Sequence, residues 1–349
     1  MSASDIYEIR VQPFEDTFEC RGGESILTAA LRQGRFFRYG CKNGGCGTCK
    51  VKLIDGDVDE PPSLLSLPPD ERSEGYILAC SSRPVDDCIL DLQGMDVTEE
   101  EYRAGDQSTE YLAEVVHNRP LTQDIRTLRL RLIEPATMPF VAGQFVNIEC
   151  PGDGSPRSYS MANSPSQADD LDFVVKILPG GRFSGACEQG LEPGHRLRMW
   201  GPFGQLRVKL SHRQILMIAG GSGMAPLLSM LSHLVEKGNE RPVHFFFGAR
   251  RPEDLYHLER IRGFVEAMPC LQFIPALSES WPDDWDGETG MITDAVARRL
   301  ASLRNFDAYL CGPPAMIDAA IPLLIERGVR RQNIYFDAFL PTGTADTRV

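Results

Sequence analysis

Hydrophobic and polar positions divide the chain into three textures. Residues 6–11 and 14–19 alternate apolar and polar side chains with the period of two expected of half-buried strands. Over residues 25–34 the period changes: Ile26 and Ala30, and Leu27 and Leu31, lie four apart on one helical face, and Gly34 supplies a stop. Two strands and a crossing helix predict a small β-grasp module over residues 1–98. Residues 99–108 carry Glu99, Glu100, Glu101 and Gly105 with almost nothing to bury, and are predicted to be an interdomain linker.

Short apolar runs at 111–116, 127–132, 145–149 and 171–178 follow in close succession, separated by Pro and Gly, which predicts a small antiparallel barrel over 109–210. From residue 211 buried apolar runs at 215–219, 243–247, 271–275 and 308–311 alternate with helical periodicity at 227–235, 255–267 and 316–327. Strands alternating with helices predict a doubly wound parallel α/β sheet over 211–349, the kind that binds ligands where its strands end. The expected fold class is thus multidomain: β-grasp, antiparallel β-barrel, then α/β.

Size agrees with this division, because 349 residues exceed what one hydrophobic core usually serves. No internal repeat or low-complexity segment is visible, and no apolar run is long enough to span a bilayer. Residues 1–7 lack a basic and apolar leader, so a cytoplasmic location is expected. The net charge is −13, and residues 1–98 hold 17 acidic against 10 basic side chains, which disfavours a nucleic-acid partner.

Ten cysteines in a reducing compartment argue against a disulfide framework, so spacing must separate ligands from packing residues. Cys41, Cys46 and Cys49, with Cys80 further on, give C-x4-C-x2-C and one distant cysteine, the spacing of plant-type [2Fe–2S] proteins. Gly44, Gly45 and Gly47 suit a loop that must bend tightly around sulfur. Four cysteines could also hold zinc, but zinc sites usually pair two C-x2-C knuckles, and the second is missing here. Cys20, Cys88, Cys150, Cys187, Cys270 and Cys311 stand singly in apolar or strand contexts and read mostly as packing residues.

Two more motifs suggest anionic ligands. Arg157-Ser158-Tyr159-Ser160 follows a Pro/Gly turn, and Gly180-Gly181-Arg182-Phe183-Ser184 opens a predicted helix. Arginine could neutralise a pyrophosphate, tyrosine could stack on a flavin, and the helix N-terminus could meet phosphate oxygens. Gly220-Gly221-Ser222-Gly223-Met224 ends a buried strand and opens a helix, the context a phosphate-cradling loop needs. Cys311-Gly312-Pro313-Pro314 repeats that arrangement after a later strand. Glu114-Val115-Val116-His117 fits E-x-x-H, but on a predicted strand and once only, so the chain is not itself expected to hold a diiron centre.

In the order of these motifs, in residues 28–33, and in the Leu310–Ala320 and Phe339-Leu340-Pro341 stretches, the chain resembles the ferredoxin-reductase superfamily, specifically reductase components of bacterial multicomponent oxygenases such as soluble diiron monooxygenases. The resemblance implies that Cys41, Cys46, Cys49 and Cys80 hold a [2Fe–2S] cluster. It places Arg157, Ser158, Tyr159, Ser160, Lys176, Gly181, Ser184 and Phe339 at FAD. It gives Gly220, Gly221, Ser222, Gly223 and Met224, with Cys311, Gly312 and Pro313, to the nicotinamide nucleotide. It also implies a monomer that serves the hydroxylase component of a diiron monooxygenase, with NADH preferred.

The chemistry explains why these motifs keep company. A nicotinamide gives two electrons as hydride, a [2Fe–2S] cluster accepts one, and a flavin can exchange either, so the flavin belongs between them. No protein nucleophile or acid–base dyad is required, and none is assigned. Rival readings are the reductase of a Rieske ring-hydroxylating dioxygenase, a deoxysugar-pathway reductase of similar build, and a redox-sensing nucleotide-binding protein without turnover. Arg250 or Arg251 could favour a 2′-phosphate, whereas Glu253 or Asp254 could bind a free ribose hydroxyl. Asp55, Asp57, Asp59 and Glu60, soon after the cysteine loop, are expected to form an acidic rim that steers a partner.

Overall fold

The computed structural model describes residues 5–62, 64, 66–105, 108–152 and 154–340. Two compact units meet in sequence between Thr109 and Glu110. In the first, a five-stranded sheet has the order Asp16–Arg21, Ile6–Gln12, Cys88–Asp91, Lys50–Asp55, Tyr76–Leu78. The first two strands form an antiparallel hairpin, and Ile6–Gln12 runs parallel to Cys88–Asp91, a pairing across nearly the whole unit. Helix Ile26–Arg32 starts where the Ser25 side chain accepts from the Thr28 amide, and buries Ile26, Leu27, Ala29 and Ala30. Ile9, Val11, Phe18 and Leu90 complete the core beneath it.

The expected linker is corrected. Glu99–Ala104 is a helix, opened by a capping box in which Thr98 and Glu101 satisfy each other's backbone amides. Tyr102, the one large apolar residue there, is fully buried, with its ring 4.9 Å from Phe14 and 6.2 Å from Phe37. Its hydroxyl donates to Asp16 (3.0 Å). The run of glutamates hid this anchor, since acids in a first helical turn are also what the helix dipole favours. Within the expected linker, Gly105 and Ser108 stand outside regular structure, and residues 106 and 107 lie outside the described residues.

The second unit begins with a six-stranded antiparallel sheet ordered Pro156–Ser160, Phe145–Glu149, Arg196–Phe203, Thr109–Pro120, Ile125–Glu134, Asp170–Lys176. A bridge between Met161 and Phe173 joins the two edges and closes a barrel. Its interior is filled by Val115, Leu128, Leu130, Val146, Ile148, Phe173 and Met199 among others. The Arg196–Phe203 strand went unpredicted although Arg, Leu, Arg and Met alternate along it, and their burial alternates in step.

The remainder is a six-stranded sheet, ordered Glu288–Thr289, Leu271–Leu277, Val243–Ala249, Gln214–Gly220, Phe306–Gly312, Ile334–Ala338, with every neighbouring pair parallel. Phe306–Gly312 is buried along its whole length, as a central parallel strand must be. Strand order reverses between Gln214–Gly220 and Phe306–Gly312, and such a switch point opens a crevice at the carboxyl ends. Helix Ile292–Arg299 and strand Ile334–Ala338 were not foreseen. No helix among the described residues is long and apolar enough to cross a membrane.

Candidate functional site: three cofactor cradles

The four motif cysteines come together in two pairs. The Cys46 amide donates to the Cys41 sulfur (3.4 Å) and the Cys41 amide to the Cys46 sulfur (3.5 Å). Cys49 and Cys80 form the second pair, with thiols in hydrogen-bond contact and the Ala79 amide on the Cys49 carbonyl (3.1 Å). Within each pair the shared hydrogen bond pushes one thiol up, Cys41 or Cys49, and pulls the other down, Cys46 or Cys80. Among the described residues no three or more His, Cys, Asp or Glu converge as a single-ion site. Two thiol pairs suit two irons with two thiolates each better than one tetrahedral zinc. Gly44 and Gly47 take φ of +82° and +68° to turn the loop, and Ser66 ties it down through the Gly45 carbonyl (2.6 Å).

In the barrel, the R-x-Y-S motif forms the strand Pro156–Ser160, paired so that Tyr159 faces Val146 and Arg157 faces Ile148. Strand alternation sets Arg157 and Tyr159 on one face and Ser158 and Ser160 on the other. The Tyr159 ring lies 4.8 Å from Phe183, which brings the start of helix Arg182–Gln189 beside it, and burial pushes the Tyr159 hydroxyl up. Ser158 donates to Asn147 (2.7 Å), and Ser160 is buried. Arg157 rests on the Pro156 carbonyl (2.8 Å) and the Ser155 hydroxyl (3.2 Å). At Gly181 an added Cβ would fall 2.2 Å from Ser184 Oγ, so a side chain there would have to displace that hydroxyl. The Ser184 hydroxyl accepts from the Leu178 amide (3.3 Å).

The switch point holds a cleft of about 240 Å³ lined by Gly220, Gly221, Gly248, Pro313, Lys176 and Asp254 among others. A chain of charges crosses it: Lys176 to Asp124 (3.4 Å), Asp124 to Arg250 (3.7 Å), Arg250 to Asp254 (3.6 Å). Lys176 arrives from the barrel, and a Cβ on Gly221 would sit 3.9 Å from its ammonium. Gly220 leaves room for the helix Pro314–Glu326 and Gly223 for the neighbouring strand end: a Cβ would meet Met316 Sδ at 2.7 Å in the first case and the Cys311 carbonyl oxygen at 2.1 Å in the second.

Residues 9–85 match the family of 2Fe-2S iron–sulfur cluster binding domains, residues 112–208 the oxidoreductase FAD-binding domain, and residues 217–321 the oxidoreductase NAD-binding domain. The chain is 37% identical to the reductase component of propane 2-monooxygenase from Mycolicibacterium goodii over 342 residues, which is 96% of this chain and 98% of that protein. The chain belongs to the ferredoxin-reductase superfamily, with the reductase components of multicomponent monooxygenases. Its structure is similar to that of an Amycolatopsis cytochrome P450 reductase (TM-score 0.75, 31% identity, 97% of this chain and all of that one). It is also similar to the ferredoxin reductase in carbazole 1,9a-dioxygenase (TM-score 0.69, 30% identity, 96% and 99% covered). This reductase therefore uses NADH, FAD and a [2Fe–2S] cluster to pass electrons to an oxygenase.

Not every expected site residue faces its cleft. Gly223, Met224 and Cys311 are enclosed in the core, where burial pushes the Cys311 thiol well up. Gly220, Gly221 and Pro313 line the cleft, and Gly312 stands at φ +151°, where a Cβ would crowd the Gly220 backbone. Tyr256 escaped sequence reasoning: it is buried and donates to the Gly221 carbonyl (2.7 Å), so it holds the glycine loop. A tyrosine at the entrance of a helical run carried no motif that could have singled it out. Phe336, Asp337 and Ala338 lie in the last strand, and the Phe339 amide donates to the Gly312 carbonyl (2.9 Å).

The expected acidic rim is also corrected. Lys50–Asp55 leads away from Cys49, and at about 3.3 Å per residue Asp55 stands about 17 Å from Lys50. Gly56 packs its backbone against Asp87, so Asp55 and Asp57 gather with Asp86 and Asp87 at that far end. Asp59 is paired across a short ladder with Arg83. Glu60 turns inward, where it accepts from the Leu78 amide (3.4 Å) and from the Ser82 hydroxyl and meets Arg72 (3.7 Å).

Proposed function

We propose that this reductase serves the hydroxylase component of a diiron monooxygenase, acting as a monomer, with Cys41, Cys46, Cys49 and Cys80 as cluster ligands. Near-full-length similarity to the propane 2-monooxygenase reductase carries the choice of partner. The likeness to a P450 reductase and to a dioxygenase ferredoxin reductase favours a second reading, since one architecture feeds different oxygenases. Turnover after mixing with a purified diiron hydroxylase or a Rieske oxygenase decides between them, and acceptance by the Rieske protein alone would overturn the first.

When bound, the cofactors supply hydride acceptance and single-electron transfer. The chain's own residues orient them. Arg157 and the N-terminus of helix Arg182–Gln189 offer positive charge for a pyrophosphate, and Tyr159 and Phe183 supply an aromatic wall beside it. Lys176, expected at FAD, lines the switch-point cleft, and with the Gly220–Gly221 turn it reaches the nucleotide phosphates instead. Asp254 is placed for a ribose hydroxyl, while the neighbouring Arg250 is already engaged by Asp124 and Asp254. NADH should therefore give the higher kcat/KM, and a higher value with NADPH would reverse the assignment. Changing Cys46→Ser should abolish reduction of the partner and leave flavin reduction by NADH nearly intact. Iron and sulfide analysis should find about two of each per chain.

A further inference from the structure

Among the described residues, the charged side chains lining the switch-point cleft are Asp124, Lys176, Arg250 and Asp254, two acids and two bases. The acid between the two bases is Asp124. Its Oδ2 stands 3.4 Å from the Lys176 ammonium and 3.7 Å from the Arg250 guanidinium. Its Oδ1 has a separate task, accepting from the Thr122 hydroxyl (3.3 Å) in the turn between strands Thr109–Pro120 and Ile125–Glu134. The Thr122 hydroxyl in return accepts from the Asp124 and Ile125 amides (3.3 and 3.1 Å). The Ile177 amide, next to Lys176, donates to the Asp124 carbonyl (2.7 Å). Local hydrogen bonds therefore fix the Asp124 backbone, and its carboxylate cannot withdraw far from the cleft.

We propose that Asp124 is a positioning residue that stands in for the nucleotide's pyrophosphate: it holds Lys176 and Arg250 at the cleft in the free enzyme, and opposes the pyrophosphate once nucleotide is bound. The inference rests on the reading of this cleft as the nucleotide site, and adds a residue that weakens binding there. A pyrophosphate beside the Gly220–Gly221 turn needs the Lys176 ammonium, which a Cβ on Gly221 would approach to 3.9 Å. That ammonium is already paired, so the entering anion must compete with a carboxylate that stays nearby. Phosphate contacts are common to NADH and NAD+, and affinity shared by both does not speed hydride transfer. It does delay departure of the spent nucleotide. A tethered competitor shortens that delay and keeps both cations in place for the next molecule of NADH.

Calorimetric titration of the oxidised holoprotein tests this with ADP-ribose, which carries the pyrophosphate but no hydride, and with adenosine, which carries no phosphate. Asp124→Asn keeps an oxygen for Thr122 and loses the charge. The ion pairs are partly exposed and therefore weak, so the expected change is modest: ADP-ribose should bind about fivefold more tightly at low salt. Its affinity should also fall more steeply as salt rises than in the wild type, because the cations are no longer neutralised. Adenosine should bind within twofold of the wild type. Asp124→Ser removes the charge by another route and should tighten ADP-ribose binding in the same direction. In steady state the KM for NADH and the inhibition constant for NAD+ should fall together. Unchanged or weaker ADP-ribose binding, in whichever variant keeps the wild-type melt, overturns the proposal. Equal tightening of adenosine also overturns it, since the cause would then be the shape of the cleft. Lys176→Gln that leaves ADP-ribose binding unaltered would instead overturn the placement of the nucleotide phosphates at this cleft.

Discussion

In the cysteine loop Gly44 and Gly47 sit at φ of +82° and +68°, in the left-handed region, whereas in the nucleotide loop Gly220 and Gly223 have φ of −138° and −62°, which any residue can adopt. The first loop uses glycine for the direction of the chain. The second uses it for room, because a Cβ on Gly223 would lie 2.1 Å from the Cys311 carbonyl oxygen. Gly221 alone in that loop turns left-handed, at φ +54°. Both loops look equally glycine-rich in sequence, yet one is limited by backbone torsion and the other by the approach of a strand from ninety residues away.

Substitutions can break or sharpen that contrast. The largest effect is expected for Gly223→Ala, where only backbone stands in the way of the methyl group. It should cost about 3 kcal/mol of stability and weaken NADH binding at least about tenfold, as read from denaturant unfolding and from NADH titration of the oxidised protein. A wild-type melt in that variant would show that the close approach is not rigid. Gly47→Ala meets Ser66 only at 3.2 Å, so its cost is mainly torsional, about 1–2 kcal/mol in the first unit. Lower iron content with unaltered NADH affinity is its signature, and Gly47→Asn, which tolerates left-handed backbone better, should recover part of the loss.

A smaller effect is expected at the boundary segment, where Thr98→Ala removes one half of the capping box and should cost about 1 kcal/mol in thermal unfolding of the first unit. The smallest is Gly221→Asn, since asparagine accepts φ near +54° and a Cβ there has only the Lys176 ammonium at 3.9 Å. Its stability should change by about 0.5 kcal/mol or less. A loss as large as that of Gly223→Ala would mean that the whole loop is limited by space.

The cysteine spacing, the glycine turns and the change of hydrophobic period from two to nearly four are local properties, set by residues a few positions apart. By themselves they determined the order of three modules, the four candidate cluster ligands and the strand-to-helix turn at Gly220–Gly223. Even the C-terminal strand could be named only as an ending, because its parallel pairing with Phe306–Gly312 depends on residues it meets in space.

Burial and facing were decided by tertiary structure alone. Tyr102 became a core residue only because Phe14, Phe37 and Asp16 surround it. Glu60 turned inward toward Ser82 and Leu78, while Asp59 came to stand opposite Arg83. Lys42 and Arg83, forty-one residues apart in sequence, came to share one wall with Cys80. Charge counted along a chain is a sum, and a sum holds no direction. The direction arises when strands of fixed rise separate some charges from the cluster and fold others back beside it.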